Sequence, residues 1–212
     1  MKQAVICFTR VPKPGATKTR LLPVLKPEQC VGLHWAFLRD LAEVYRQLDV
    51  HLFVAYTPDA DWESLKTVFP HAGFYPQKGN DLGERMYRVI RKVLELGYES
   101  VVLTGTDLPR MTPAHLESGF AVLEEKDIAL GPTSDGGYYL IGMKKPCRDV
   151  FRIEGYGGAS VLENTVAAAE QVGLTVGIAM TCDDVDTPED LRDLIRTINP
   201  DSYTGRYLKE IV

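Results

Sequence analysis

The residues best suited to chemistry in this sequence are cations and carboxylates in short, separated clusters. Lys13, Lys18 and Arg20 lie in or just after a loop that also holds Pro12, Pro14 and Gly15. Pro14 and Gly15 shape a turn whose backbone can approach an anion, and Lys18 and Arg20 are cations placed to pair with phosphate oxygens. Lys18 is the expected catalytic cation; a solvated surface loop is the plain alternative. GTDLP (Gly105–Pro109) presents Asp107 on a stiff turn, where a carboxylate suits a divalent ion shared with phosphate, or simply forms the turn. SDGG (Ser134–Gly137) offers Asp135 as a candidate proton acceptor, with Gly136 and Gly137 allowing a ligand close to the backbone, although Asp-Gly also makes hairpins. DDVDTPEDL (Asp183–Leu191) brings Asp186 as a second metal carboxylate, while acids before a helix also favour its N-terminus. Gln77, Asp81 and Arg85, around Gly79 and Gly83, complete the set as candidate nucleotide contacts, or as an ordinary loop entering a helix.

These clusters need a scaffold, and the apolar patterning supplies one. Buried strands are expected at Gln3–Thr9, His51–Thr57, Gly73–Pro76, Glu99–Thr104, Asp127–Leu130, Tyr138–Met143 and Leu174–Met180. Helical spacing marks Lys26–Leu48, a shorter helix in Asp59–Phe69, a helix capped by Asp81, Thr112–Glu125, Ala159–Val172 and one capped at Thr187 with Pro188 in its first turn. Pro200–Val212 is expected to be partly helical. Alternation of this kind predicts an α/β fold, a three-layer sandwich with a mostly parallel mixed central sheet, whose Tyr138–Met143 strand runs antiparallel. Ligands bind such sheets beyond the carboxyl ends of the strands, where the basic loop, GTDLP and DDVDTP all fall.

Length and composition limit the alternatives. With 212 residues and 45% hydrophobic content, one domain spanning 1–212 is expected. A net charge of −5 argues against a general nucleic-acid binder. The four cysteines and four histidines show no metal spacing, and Cys7 reads as a buried strand residue. Ala4–Phe8 is too short for a signal peptide, and no run approaches the ~20 residues of a membrane span. A cytoplasmic location, with no membrane partner, is the expectation.

Taken in order, five segments carry a resemblance. They are F-x-R-x-P-x-P-G-x-x-K-T-R-L (Phe8–Leu21), D-L-G-E-R (Asp81–Arg85), G-T-D-x-P (Gly105–Pro109), G-P-x-x-D-G-G-Y-Y-L-I-G (Gly131–Gly142) and D-V-D-T-P-E-D-L (Asp184–Leu191). Over nearly its whole length the chain resembles the GT-A-fold selenodomain-associated (radical-SAM-associated) transferases, a family long labelled as of unknown function. More distantly it is similar to phospholactate and molybdenum-cofactor guanylyltransferases. The resemblance implies a nucleotide-diphospho-sugar-transferase fold with Mg²⁺ or Mn²⁺ at Asp107. One departure stands out: where many members carry W-[SG]-T, this chain has EGYGGASVL (Glu154–Leu162), with Tyr156 in the tryptophan's place. Two reactions share every site residue named: glycosyl transfer from a nucleotide sugar, which the family label implies, and nucleotidyl transfer from an NTP, which the extra charge of the first loop favours. Either acts on a small acceptor. A non-catalytic nucleotide-binding module is the third possibility, opposed by the number of carboxylates.

Overall fold

The computed structural model describes residues 2–58, 61–153 and 155–212. Seven strands form one sheet: β1 (Gln3–Thr9), β2 (His51–Tyr56), β3 (Gly73–Pro76), β4 (Ser100–Thr104), β5 (Ile128–Pro132), β6 (Tyr138–Met143) and β7 (Val176–Ile178), in the order β3-β2-β1-β4-β6-β5-β7. β6 is antiparallel to both of its neighbours and every other pairing is parallel. The mixed sheet expected from the patterning is therefore present, with its odd strand where the glycine turn before Tyr138 placed it.

Helices cover both faces: α1 (Pro27–Arg46), α2 (Leu82–Leu94), α3 (Pro113–Glu125), α4 (Val161–Gln171), α5 (Pro188–Thr197) and α6 (Tyr203–Ile211). Alternate residues of β1 serve opposite faces. Val5 and Cys7 pack with Leu38 and Leu41 of α1 and with Leu116 and Phe120 of α3. Ala4 and Ile6 pack with Met86 and Ile90 of α2 and with Ala169 of α4. Both faces are covered, so β1 reads as a continuous apolar run, the signature of a central parallel strand. A third cluster joins α1 to α5 and α6 through Cys30, Leu33, Leu194 and Leu208, and Val185 lies inside it. That gives the chain after residue 197 a role: α6 covers the outer side of α1, and Asp40 of α1 accepts from the N–H groups of Tyr203 and Thr204.

Two expected elements differ. Within 61–69 only a 3-10 turn forms, Trp62–Thr67, where Trp62 stacks on Tyr56 and Leu65 is buried; Asp59 lies outside the described residues. The last strand is shorter than its apolar run. β7 is an edge strand paired with β5; beyond it the pairing turns irregular, the Ala179 and Cys182 N–H groups still donating to the Leu130 and Pro132 carbonyls while the Met180 N–H donates to the Ser118 hydroxyl of α3. Among the described residues no helix is long and apolar enough to cross a membrane.

Candidate active site

The site forms at the carboxyl edge of the sheet, between the first loop, the turn after β4 and the segment before α5. Lys13 opens the loop: its carbonyl accepts from the N–H groups of Ala16 and Thr17, and its own N–H donates to the Thr17 hydroxyl. Pro14 and Gly15 sit at the exposed tip of this turn, Gly15 with φ of +73°. Lys18 follows with φ of +47°, the left-handed region that a lysine adopts at a cost. That conformation turns its side chain inward until only 2% of it is exposed.

Inside, the Lys18 ammonium donates to Asp107 Oδ1 and, at 2.8 Å, to the Val185 carbonyl, and it lies 4.6 Å from the centre of the Phe37 ring. The Val185 N–H donates to the Asp107 carbonyl at 2.8 Å. Segments far apart in sequence are thus tied at one point. His34, a buried residue of α1, places Nδ1 3.4 Å from Asp107 Oδ1 and Nε2 3.4 Å from the Thr9 hydroxyl. These distances are long for hydrogen bonds but close enough for electrostatic support.

Around this pair is a cleft of about 170 Å³ lined by Arg10, Thr17, Lys18, Arg20, His34, Asp107 and Asp186. Arg20 pairs with Asp186 at 3.5 Å, and Arg10 donates to the Ala16 carbonyl. The cleft therefore gathers Lys18, Arg20, Asp107 and Asp186 from the expected set and adds Arg10 and His34.

The carboxylates are not equivalent. Burial pushes the Asp107 carboxyl up, but the Lys18 ammonium and His34 outweigh burial and hold it well below the usual carboxylate range. No cation figures among the main influences on Asp184. Burial, and then the charges of Asp186, Asp135 and Asp107, lift it from 3.8 to about 6. Asp186 is raised by burial and by Asp107, against the pull of Lys18 and Arg20. The other acids of the run have structural work. Asp183 accepts from the Ser134 N–H, and Asp190 closes the capping box with Thr187.

A raised carboxyl binds its proton more tightly folded than unfolded. Its stabilising contribution is complete below about pH 4 and is lost as pH rises through about 6. In chelator-treated protein, Asp184→Asn is therefore expected to be more stable than wild type at pH 7 and equal to it near pH 4. After discounting for solvent screening, the gain is about 1–2 kcal/mol. Chemical denaturation at the two pH values checks this; an equal difference at both removes Asp184 from the acidic cluster.

Other expected contacts lie elsewhere. Gln77 is buried, and both of its donor bonds run to backbone, to the Thr9 and Ala55 carbonyls, so it laces the ends of β1 and β2 together. Its amide hydrogens are already used, so only its amide oxygen is left for the nucleotide contact expected of it. Asp81 caps α2 by accepting from the Glu84 N–H, and Arg85 donates to the Gly79 carbonyl, so both shape the entry to that helix. Asp135 takes the Thr133 hydroxyl and the Gly137 N–H on Oδ1. This is the hairpin reading of Asp-Gly, although its charge still bears on Asp184. Gly136 has φ of +88°, and a Cβ there would stand 1.9 Å from the Ala159 carbonyl oxygen, so packing explains this glycine. Tyr156 donates to the Phe151 carbonyl beside Gly83; Glu154, at the start of the departing segment, lies outside the described residues.

The donor set suits Mg²⁺ or Mn²⁺, hard ions that take oxygen ligands. Among the described residues, no three His, Cys, Asp or Glu side chains form a ready-made cage. Mg²⁺ does not require one, because it is commonly held by one or two carboxylates together with substrate phosphates. Asp107 and Asp186 fit that pattern.

Comparison with known proteins agrees with this geometry. A crystal structure from Desulfovibrio desulfuricans G20, assigned as a nucleotide-diphospho-sugar transferase, superposes with a TM-score of 0.91 at 35% identity, over 99% of this chain and 95% of that one. The 2-phospho-L-lactate guanylyltransferase of Methanocaldococcus sp. strain FS406-22 is 26% identical over 201 residues, 92% of this chain and 82% of the relative. Glucosyl-3-phosphoglycerate synthase of Mycobacterium tuberculosis, solved with Mn²⁺ and UDP, shares the fold at 11% identity and a TM-score of 0.57, over 91% of this chain and 75% of that one. A family model described as an uncharacterized protein conserved in bacteria, DUF2064, matches residues 40–157, more than half of the chain. The chain belongs to the DUF2064 family and is a transferase with the fold of the nucleotide-diphospho-sugar transferases.

Proposed function

We propose that this protein transfers a nucleotidyl group from an NTP to a small acceptor, releasing pyrophosphate. The observation that carries this reading is the cleft itself, where Arg10, Lys18 and Arg20 line the same hollow as Asp107 and Asp186. Arg10 and Arg20, with Lys18 behind them against Asp107, give a triphosphate tail counter-charge beyond what a nucleotide sugar's diphosphate requires. The guanylyltransferase name of the relative that spans most of the chain supports the same choice.

In this mechanism Arg10 and Arg20 hold the departing phosphates at the mouth of the cleft. Lys18 fixes Asp107 and ties it to the segment that carries Asp184 and Asp186. Asp107 and Asp186 would hold Mg²⁺ or Mn²⁺, which when bound supplies positive charge to the phosphates of the donor. An acceptor oxygen bonds to the α-phosphorus as the bond to pyrophosphate breaks. The acceptor's proton goes to Asp184, whose pKa of about 6 matches a general base working near neutrality. Asp135 acts on this step through its charge on Asp184 rather than by touching the acceptor.

Glycosyl transfer is the second reading, favoured by the assignment of the structure at 35% identity. One assay separates them. With Mg²⁺, an NTP or a nucleotide sugar, and cell extract as the source of acceptor, nucleotidyl transfer releases pyrophosphate from the NTP. Nucleoside diphosphate released only from nucleotide sugars overturns it in favour of glycosyl transfer, and neither product points to a nucleotide-binding module.

A further inference from the structure

Asp107 faces two hollows. One is the basic cleft. The other, of about 190 Å³, is walled by Phe8, Leu82, Met86, Tyr138 and Ile141 and has Asp107 and Asp184 among its lining. Leu82 and Met86 stand four residues apart on α2 and so share a face, opposite Phe8 at the end of β1 and Ile141 of β6.

Among the described residues, no lysine or arginine lines this second hollow. Of the hydroxyls in its lining, that of Tyr139 donates to the Met180 carbonyl and that of Thr106 faces Thr9, while the buried Tyr138 hydroxyl has no hydrogen-bond partner among the described residues. The walls therefore offer mainly dispersion contacts, and the charged side chains described among them are Asp107, paired with Lys18, and Asp184. An anionic group placed here would meet the Asp184 carboxylate with no lysine or arginine in the lining to offset it, Lys18 being already engaged by Asp107. A nucleobase would find acceptors for its N–H groups in the two carboxylates but few side-chain donors for its own acceptors. An uncharged apolar body meets neither penalty. Because the hollow shares Asp107 with the phosphate cleft, its occupant also lies beside the reacting phosphate.

Resting on the transferase reading above, we propose that this hollow receives the acceptor, and that the acceptor is an alcohol with an uncharged apolar body of a few carbons. Its hydroxyl points toward Asp184. The compound in the guanylyltransferase relative's name, 2-phospho-L-lactate, is a phosphorylated acid and belongs to the opposite chemical class.

The test uses the intact protein with ¹³C-labelled methionine methyls, titrated with primary alcohols from propanol to hexanol. The Met86 methyl resonance is expected to shift, with affinity rising about fourfold per added methylene until the hollow is full. Lactate and 2-phospholactate are expected to leave it in place. Leu82→Lys, at the rim where Leu82 is 43% exposed, is expected to weaken hexanol at least about tenfold without threatening the core. A Met86 shift with phospholactate but not with alcohols overturns the proposal, as does a shift with nucleotide alone, which would make the hollow a base pocket. Nucleotide binding, followed in the same samples with Mg²⁺, is scored separately. Its absence together with the expected alcohol series sinks the transferase reading and supports the apolar ligand class.

Discussion

Asp107→Ala is expected to abolish divalent-dependent nucleotide binding, to lower transfer at least about a thousandfold, and to destabilise the fold. The two effects have separate causes. Transfer falls because Asp107 is the carboxylate common to the basic cleft and the apolar hollow. Stability falls because the Lys18 ammonium, with 2% of its side chain exposed, would keep only the Val185 carbonyl as a polar partner. Orphaning an enclosed cation costs about 3–5 kcal/mol; with Asp107 itself 35% exposed, about 2–3 kcal/mol is expected here. For a chain of this length that lowers the melting temperature by roughly 5–10 °C. Asp107→Asn separates the causes, since it keeps an oxygen for Lys18 but removes the charge that a cation needs. Thermal unfolding and Mn²⁺-dependent nucleotide binding, measured on both variants, check the expectation. A wild-type melting temperature for Asp107→Ala would mean that Lys18 does not depend on this carboxylate.

The scaffold was legible because its physics is local. β1 announces itself as an apolar run, Asp81 and Thr187 cap their helices as their side chains allow, and the glycine turn before Tyr138 reverses the chain into the antiparallel strand. Lys18, Asp107 and Asp186 could be read as one site because each follows a strand that had to end at the same sheet edge. What stayed hidden was pairing. Nothing in the order of residues shows that Lys18 reaches Asp107 rather than solvent, since that depends on a left-handed backbone at a non-glycine residue.

Other site residues were hidden by their context. His34 sits on the apolar stripe of α1 with Cys30, Phe37 and Leu41, where a lone histidine reads as core; the signal was a polar residue on an otherwise buried face. Asp184 was lost among acids whose neighbours do turn and cap work. It emerges only when Asp183 and Asp190 are seen to be engaged. Gln77 shows the reverse case. A polar residue beside a glycine suggests a binding loop, yet parallel strand ends leave carbonyls that need donors, and its amide supplies them.

Lys18→Met carries the sharpest prediction, because its two effects run in opposite directions. Transfer is expected to fall about a thousandfold, since the charge and the tether at the centre of the cleft are both lost. Binding of Mn²⁺ to the nucleotide-free protein is expected to tighten about tenfold or more. In the wild type the ammonium already neutralises Asp107 and competes for Oδ1. Without it, Asp107, Asp184 and Asp186 act on one another with Arg10 and Arg20 as the remaining arginines of the cleft, and a divalent ion becomes the effective counter-charge. The gain has a pH signature. Burial then raises the Asp107 carboxyl with no ammonium to oppose it, so tighter binding appears near neutrality and fades as pH falls and the carboxylates take up protons. Methionine keeps the length and the contact with Phe37, so the change is one of charge more than of packing. Titration of free Mn²⁺ by electron paramagnetic resonance, with and without nucleotide, measures both sides. Weaker Mn²⁺ binding in the variant would make Lys18 a positioning residue for the carboxylates rather than their competitor cation. Tighter binding with lost transfer would show that the first loop keeps an acidic site neutral until a phosphate chain draws the ammonium away.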